Sequence, residues 1–449
     1  MDEEGREQVR ANASGVGADW LRKLPESLQW HVLLKLPTKD VVKASVVYSK
    51  WRHLWRYVPG LDLDCRDFKE YNVVVKFIDG FLSFNSESSL EKFKIRYDSV
   101  LDADDDGDEQ TDNANVTRWI NAVVKRHVKQ LGVVWGEVVM PPSLYMCESL
   151  VSLKLSDAIL PNLESVSLPS VKVLDLVLVK FANDLAFERL ISGCIVLESL
   201  VLYRSPNDNV KVLHVSSKSL LSFIYNGSTK KGPLDDLVVS VDAPRLEDLQ
   251  LSDHLTESFV VSNMSSLVRA DIQINFSFEK AFDPTDLRKR NMIRKFLAGI
   301  SCVKNLILAQ CTLEVIYKLS KCEPLPVFRN LASLTVDFYE NSWETLPVFL
   351  HRCPNLNSLI VESTTFPEEG ASILTGPPRL LSSLEYVKIE SPLEGDAMEM
   401  KFVRYLLENS PILKKLTLRL DNGSRKNSAI VRELLKIPRL SSSCQVIVL

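Results

Sequence analysis

The side chains that most often perform catalysis are scattered along this sequence. Histidine occurs six times, at positions 31, 53, 127, 214, 254 and 351. None of these histidines belongs to an H-E-x-x-H pair, which would hold zinc, or lies beside a G-x-S-x-G turn, which would expose a nucleophilic serine. Because no nucleophile, base and orienting group come together in a motif, we expect a protein with no catalytic residues, no metal site and no cofactor.

One glycine-flanked loop resembles a phosphate-binding motif only weakly. Residues 227–233 read Gly-Ser-Thr-Lys-Lys-Gly-Pro, and Pro233 stands where a Walker loop needs its lysine. Glycine and lysine are common in turns, so we interpret this segment as a turn.

Composition restricts the class of protein further. Hydrophobic residues make up 45% of the 449 residues, and 54 Lys and Arg are balanced by 58 Asp and Glu, for a net charge of −4. That balance, without a long basic run, argues against nucleic acid as a partner. No apolar run is long enough to span a bilayer, and the first residues lack the apolar core of a signal peptide. We therefore expect no membrane association and a location in the cytoplasm, the nucleus or both.

The N-terminal part of the chain predicts a small helical module after a polar tail. Residues 1–18 are too poor in large apolar side chains to order, and residues 19–60 form the module. Its first helix is indicated by apolar residues repeating every four positions, namely Leu24, Leu28, Val32 and Leu36. Pro25 suits the first helical turn, and Pro37 ends the helix.

Two more short helices follow in the same module. Thr38 can cap a second helix that contains Val41, and Ser49 can cap a third that contains Trp51. A bundle of about forty residues has too little core to be stable alone, so it must dock on a partner or on the rest of the chain. We expect Val32, Leu33 and Val46 to be internal.

The remainder is organised by a repeated L-x-x-L-x-L pattern, in which Val, Ile or Phe can replace Leu. Many copies lie 21 to 29 residues apart, which is typical of a solenoid of stacked units with parallel strands. The first positions of the copies, which we call anchors, are Leu90, Val128, Leu150, Val171, Leu197, Leu246, Val303, Leu331, Leu356, Leu384 and Leu413, with fainter copies at Val210 and Leu267. From about residue 380 the alternation of strand-like and helix-like segments predicts a cap that closes the stack.

The eight cysteines form no C-x-x-C pair, and we expect most of them to be reduced. Cys147, Cys194 and Cys353 each lie three residues before an anchor. A small buried residue in each turn explains that position. A reactive thiol is the alternative, but it needs an electropositive setting that the sequence does not indicate.

Residues on the face of each strand opposite its buried face are candidates for binding another protein. Such residues occupy the third, fifth and seventh positions counted from an anchor. The candidates are Lys154, Asp175, Tyr203, Gln250, Asp337, Glu362, Lys388, Glu390 and Arg419. Asp337, Glu362 and Glu390 suggest an acidic strip on the expected concave face. This strip is either ordinary surface charge or a site for a basic segment of a partner.

The N-terminal module resembles an F-box. The resemblance rests on Leu24-Pro25, Leu36-Pro37-Thr38-Lys39-Asp40, Lys50-Trp51-Arg52, Leu54-Trp55 and Val58-Pro59. Together with the repeats and the segments Leu381-Ser-Ser-Leu384 and Tyr405-Leu-Leu-Glu-Asn-Ser-Pro411, the chain resembles plant F-box proteins with leucine-rich repeats and a C-terminal FBD segment. The resemblance implies an α/β chain with four parts: a disordered tail (1–18), a three-helix F-box (19–60), a solenoid (61–379) and an FBD-like cap (380–449).

The same resemblance implies a function. An F-box binds a Skp-type adaptor and thereby joins a cullin-RING ubiquitin ligase, while the repeats select the protein to be ubiquitinated. The expected adaptor contacts are Leu24, Pro25, Leu28, Leu36, Pro37, Val41 and Trp51. Two alternatives stay open: an interaction scaffold that has lost ligase assembly, and a co-receptor that needs a small-molecule ligand to bind its substrate.

Overall fold

Two compact units make up the chain, residues 1–159 and residues 160–449. The computed structural model describes residues 24–47, 58–68, 70–84, 87–97, 109–205, 208–227, 237–254, 256–276, 283, 285–338, 343, 345–364, 381–421 and 427–449. Helices occur in both units, and the strands of both pair in parallel. The predicted fold class, a mixed α/β chain with a solenoid of parallel strands, is therefore confirmed.

The described part of the first unit contains two short helices followed by a parallel sheet in the order β1-β2-β3-β4. Its elements are α1 (Glu26–Lys35), α2 (Thr38–Val47), β1 (Gly60–Asp64), a 3-10 turn (Cys65–Asp67), α3 (Tyr71–Ser83), β2 (Lys92–Arg96), α4 (Glu109–Lys125), β3 (Gln130–Val139), a second 3-10 turn (Pro142–Met146) and β4 (Ser152–Leu160).

Two prolines set the boundaries of the first helices. The carbonyl of Pro25 accepts the N–H of Leu28 at 2.9 Å, so Pro25 lies just before the first helical turn. Leu36 is extended, and the carbonyl of Pro37 accepts the N–H of Asp40 at 3.0 Å to begin α2. The predicted stop at Leu36-Pro37 is confirmed because the residue before a proline disfavours the helical conformation. The predicted third helix, with Ser49 and Trp51, lies outside the described residues.

The second unit contains a long parallel sheet in the order β5-β6-β8-β10-β12-β13-β14-β15-β16-β17-β18 and a smaller sheet of β7, β9 and β11. Its elements are β5 (Val173–Phe181), α5 (Asp184–Gly193), β6 (Ser199–Arg204), β7 (Val212–Ser216), β8 (Ser222–Asn226), β9 (Val238–Asp242), β10 (Asp248–Asp253), β11 (Ser258–Ser262), β12 (Arg269–Ile274), α6 (Leu287–Gly299), β13 (Asn305–Leu308), α7 (Gln310–Ser320), β14 (Ser333–Phe338), α8 (Thr345–Leu350), β15 (Ser358–Thr364), β16 (Tyr386–Leu393), α9 (Ala397–Asn409), β17 (Lys415–Leu420), α10 (Asn427–Lys436) and β18 (Gln445–Val448).

Every predicted anchor lies two residues before a strand. Val171 precedes β5 by this offset, and Leu413 precedes β17 by the same offset. The anchors are at most 3% exposed, which holds for Leu90, Val128, Leu150, Val171, Leu197, Val210, Leu246, Leu267, Val303, Leu331, Leu356, Leu384 and Leu413. The predicted repeat pattern is therefore the pattern of the core.

The smaller sheet was not predicted. The segment after Val210 forms β7, which pairs in parallel with β9 instead of joining the long sheet. The sequences of β7, β9 and β11 are VLHVS, VVSVD and SFVVS. Seven of these fifteen residues are valines, and β-branched residues favour strands over helices. Strands thus form part of the return path between β6 and β12.

One repeat of the long sheet escaped the sequence pattern. Leu220 is fully buried and lies two residues before β8, as an anchor does. The second and third apolar positions of this copy are Phe223 and Tyr225, which are also buried. A search pattern that also admits Tyr at the third apolar position identifies this copy.

The C-terminal segment continues the long sheet through β16, β17 and β18. Helix α9 begins with a capping box in which the Glu399 carboxylate accepts the N–H groups of Glu394, Gly395 and Asp396 at 2.9, 2.7 and 3.2 Å. Gly395 has φ +84, a conformation that glycine adopts without strain. Glu399 therefore fixes the turn that leads from β16 into the helix.

The core of the second unit is a ladder of apolar side chains in register across the strands. They occupy the fourth position from each anchor and are at most 2% exposed. The ladder comprises Leu174, Leu200, Phe223, Leu249, Ala270, Leu306, Leu334, Leu359, Val387 and Leu416.

We predict that Leu359→Ala lowers the free energy of unfolding by about 3 kcal/mol, because it leaves a cavity between two packed strands. Leu185→Ala is the matched control, since that side chain is 53% exposed, and it should cost less than about 0.5 kcal/mol. Urea unfolding followed by circular dichroism measures both. Equal midpoints for the two variants would contradict the assigned core.

Candidate functional site

The two N-terminal helices are anchored by one small buried cluster. Leu33 of α1, Val41 of α2 and Val58 just before β1 are 2%, 5% and 5% exposed and pack together. Leu34 and Leu36 pack against this cluster and are partly buried. Leu33 is the only buried side chain among the described side chains of α1. The helices therefore use a narrow apolar stripe to hold the module in place.

Polar contacts add to this anchoring. The hydroxyl of Thr38 accepts the backbone N–H of Asp62 in β1 at 2.8 Å, and Thr38 is only 6% exposed. Lys39 donates to Asp67 in the turn that follows β1. Thr38 was predicted to cap α2, but it is the first residue of the helix and its oxygen binds the strand. The prediction of its role is wrong, since the expected capping position is occupied by Pro37.

The expected adaptor contacts separate into three groups. Leu28 is 50% exposed, and Pro25 and Pro37 are exposed. Leu24 and Leu36 are partly buried. Val41 lies in the buried cluster, and Trp51 lies outside the described residues.

Two residues that were expected to be internal are exposed instead. Val32 is 37% exposed and Val46 is 76% exposed. The physical reason is that the described core of the module is so small that one stripe, around Leu33 and Val41, fills it. We call the exposed apolar set the α1–α2 surface, which consists of Pro25, Leu28, Val32, Pro37 and Val46.

The candidate residues on the sheet are all exposed or partly buried, as expected for side chains that point away from the core. Lys154 lies in β4 of the first unit. The other eight lie in the second unit: Asp175, Tyr203, Gln250, Asp337, Glu362, Lys388, Glu390 and Arg419. Asp175, Tyr203 and Gln250 belong to β5, β6 and β10, and the remaining five belong to β14 through β17.

Four carboxylates of the second unit form one electrostatic group, which we call the acidic face: Asp271, Asp337, Glu362 and Glu390. Burial, followed by the charges of Asp337, Glu390 and Asp271, raises the pKa of Glu362. Burial, followed by the charge of Asp271, also raises the pKa of Asp337 against the lowering effect of a hydrogen bond from Ser363. The three residues of the predicted acidic strip, Asp337, Glu362 and Glu390, therefore belong to one group of mutually repelling charges.

One member of this group was missed by the sequence argument. Asp271 lies in β12 at the fifth position from the faint anchor Leu267. The same positional count that gave Lys388 would have identified Asp271 if the faint copies had been included. Lys388 itself donates to Glu390 at 2.5 Å, so it offsets part of the negative charge.

Two of the cysteines that precede an anchor, Cys194 and Cys353, lie in surroundings that disfavour a thiolate. Burial raises the pKa of Cys194 and of Cys353 to about 12. Cys147 is also buried. Thiols of this kind are poor nucleophiles at neutral pH, which supports the structural interpretation over the reactive one.

Within the described ranges, no group of three or more His, Cys, Asp or Glu side chains is arranged to hold a metal ion. No helix among those residues combines the length and the apolar character needed to cross a membrane.

The chain combines a small helical module that has an exposed apolar side with a solenoid of parallel strands. Comparison with known proteins specifies the class of protein. The F-box domain family matches residues 21–62, and the FBD family matches residues 374–418. The family described as "FBD-associated F-box protein At5g56370, LRR repeats" matches residues 116–271.

Relatives from Arabidopsis thaliana match along the whole chain. The FBD-associated F-box protein At1g66310 is 62% identical over 450 residues, F-box/LRR-repeat protein 13 is 54% identical over 459 residues, and F-box/FBD/LRR-repeat protein At1g78750 is 52% identical over 465 residues. Each alignment covers 100% of both chains. The chain belongs to the family of plant F-box proteins with leucine-rich repeats and an FBD segment.

The acidic face predicts a dependence of stability on pH. At pH values between the ordinary carboxyl pKa and the raised pKa of Glu362, the folded chain holds a proton that the unfolded chain has released. Stability therefore falls as the pH rises from the ordinary carboxyl pKa through the raised value. We predict that Glu362→Gln increases the free energy of unfolding at pH 7 by ~0.5 kcal/mol, since the group is exposed to solvent.

Urea unfolding at pH 7 and pH 4 checks this prediction, and the increase should disappear at pH 4. Glu433→Gln on α10 is the control, because Glu433 is exposed and lies outside the acidic face. A lower stability of Glu362→Gln at pH 7 would show that the four carboxylates do not repel one another.

Proposed function

We propose that the protein is the substrate-recognition subunit of a Skp-cullin-F-box ubiquitin ligase. In this role the N-terminal module binds a Skp-type adaptor, and the repeats bind the protein that is to be ubiquitinated. The observation that carries the proposal is the α1–α2 surface of an F-box module, which leaves Leu28 and Val46 50% and 76% exposed. Burial of such side chains against a partner is favourable by roughly 25 cal/mol per Å² of apolar area.

The proposed role requires no reacting group from this chain. A bound ubiquitin-conjugating enzyme supplies the chemistry, and the chain contributes the proximity and orientation of the substrate. The buried thiols Cys194 and Cys353 fit this role, since burial keeps them protonated.

We predict that Leu28→Glu combined with Val46→Glu abolishes co-purification with a Skp-type adaptor. The reason is that each substitution places a charge in an interface that would otherwise exclude water. The measurement is a pull-down of the full chain with a purified adaptor, followed by calorimetric titration. We expect a loss in affinity of at least one hundredfold, or about 2.7 kcal/mol.

Leu185→Glu combined with Leu435→Glu is the matched control, since these leucines are 53% and 70% exposed on α5 and α10. Circular dichroism should show the same fold for both double variants, because none of the four side chains is buried. Retention of the adaptor by the Leu28/Val46 variant would contradict the assigned surface. Failure of the unaltered chain to bind any adaptor would favour an interaction scaffold that does not assemble a ligase.

The candidate residues on the sheet support a second part of the proposal. We propose that the substrate lies along the exposed side of the strands and that the acidic face selects a basic segment of it. Neighbouring strands are about 4.8 Å apart across the sheet, so carboxylates on successive strands can meet successive cations of an extended peptide. Tyr203, 40% exposed, and Gln250 offer adaptable contacts on earlier strands.

We predict that reversing the charges of Asp337, Glu362 and Glu390 to Lys removes a distinct set of proteins from proximity labelling performed with the proteasome inhibited. The lost set should be rich in basic segments, because like charges now oppose them. Reversal of Glu188, Asp421 and Glu433, which are exposed elsewhere in the same unit, is the control. An unchanged set of labelled proteins would refute a role for the acidic face, whereas adaptor binding should be the same in both variants.

A further inference from the structure

The sheet of the first unit carries positive charge on its exposed side. In β2 the buried residues Phe93 and Ile95 alternate with Lys94 and Arg96, which are partly buried and exposed. Successive side chains of a strand point to opposite faces. Lys94 and Arg96 therefore lie on the face that is turned away from the core.

Neighbouring strands extend this charged region sideways. Lys94 is in register with Gly132 of β3, and Gly132 is in register with Lys154 of β4. Adjacent strands are about 4.8 Å apart, so the two lysine backbones are separated by roughly 10 Å. Gly132 has no side chain between them. We call Lys94, Arg96, Gly132 and Lys154 the cationic face.

The glycine determines where the first lysine lies. A Cβ atom at Gly132 would be 3.1 Å from Cγ and 3.8 Å from Cδ of Lys94. The aliphatic stem of Lys94 thus lies over the backbone of β3, and any larger residue at position 132 would displace it. Gly132 itself is buried, so a peptide that binds here would contact the lysine side chains rather than the backbone of β3.

Two carboxylates of β1, Asp62 and Asp64, are in register with Lys94 and Arg96, but each forms its ion pair with another cation. Asp62 accepts from Lys92 at 3.0 Å, and Asp64 is bound by Arg66. The hydrogen bond from Arg66 lowers the pKa of Asp64, and the charge of Arg96 contributes less. Among the described residues, no carboxylate forms an ion pair with Lys94 or Arg96.

We infer that the cationic face binds an extended acidic segment of the substrate, and this inference rests on the proposed function. The spacing supports it. Lys94 and Arg96 are two residues apart, about 6.6 Å along the strand, which is also the separation of alternate side chains in an extended peptide. Glutamate or aspartate at every second position therefore matches the two cations in charge and in distance.

An acidic peptide fits this face better than a nucleic acid does. The four residues of the cationic face include no aromatic side chain on which a base could stack, and the whole chain has a net charge of −4. A strand-length row of two or three cations suits a short peptide.

The experiment uses the full chain and a fluorescein-labelled twelve-residue peptide of alternating Glu and Ser, with an alternating Gln and Ser peptide as the neutral control. Fluorescence anisotropy at low salt should detect binding of the acidic peptide alone. Lys94→Glu combined with Arg96→Glu should weaken binding at least tenfold. Lys76→Glu combined with Lys125→Glu, an equal charge change at exposed positions of α3 and α4, should weaken it less than threefold.

The other outcomes overturn the inference. These are the absence of binding by the acidic peptide, equal losses in the two double variants, and tighter binding of single-stranded RNA or of a serine-phosphorylated peptide through Lys94 and Arg96. Lys94→Gln combined with Arg96→Gln, checked by circular dichroism, repeats the test with less perturbation of folding. An adaptor pull-down on the same variants separates the two proposals, because the cationic face lies outside the α1–α2 surface and its loss should leave adaptor binding intact.

Discussion

The fold of this protein depends on burying one face of its parallel strands. The anchor Leu197, for example, is buried two residues before its strand begins, and Leu200 within the strand is buried as well. A single repeat cannot hide this face from water, so neighbouring repeats must cover it. Register follows from the same requirement, because a shift by one residue would expose the apolar row and bury the polar one.

The helical module is held by the same principle on a smaller scale. Leu33, Val41 and Val58 bury one stripe of it, and Thr38 ties it to β1. So small a core leaves Val46 and Leu28 in solvent. The small described core of the module offers no further apolar surface that could bury these exposed side chains, whereas a partner protein can cover them.

The repeats could be predicted from sequence because their signal is periodic and local. Each anchor from Leu90 to Leu413 preceded a strand, since the L-x-x-L-x-L spacing is itself the geometry of a turn followed by a half-buried strand. The copy at Leu220 was missed because Tyr225 fills a position that was expected to hold Leu, Val, Ile or Phe. Likewise, the second sheet depends on a choice between strand and helix that short apolar segments do not settle.

Side-chain roles were harder to predict than elements. Thr38 has the residue type of a helix cap, but a tertiary contact to Asp62 uses its oxygen. The exposure of Val32 and Val46 depends on how few residues complete the core of the module. The electrostatic group around Glu362 also includes Asp271, three strands away, which a reading of single repeats cannot connect.

The in-register ladder gives the two sides of the sheet separate tasks. Fourth-position residues such as Leu306 and Leu334 carry the packing, while their fifth-position neighbours Ile307 and Thr335 lie on the opposite side. A duplicated gene can therefore alter exposed residues at the fifth and seventh positions, such as Lys388 and Glu362, without rebuilding its interior. Such a scaffold lets a family vary the chemistry of one face of the sheet through single codon changes at little risk to folding.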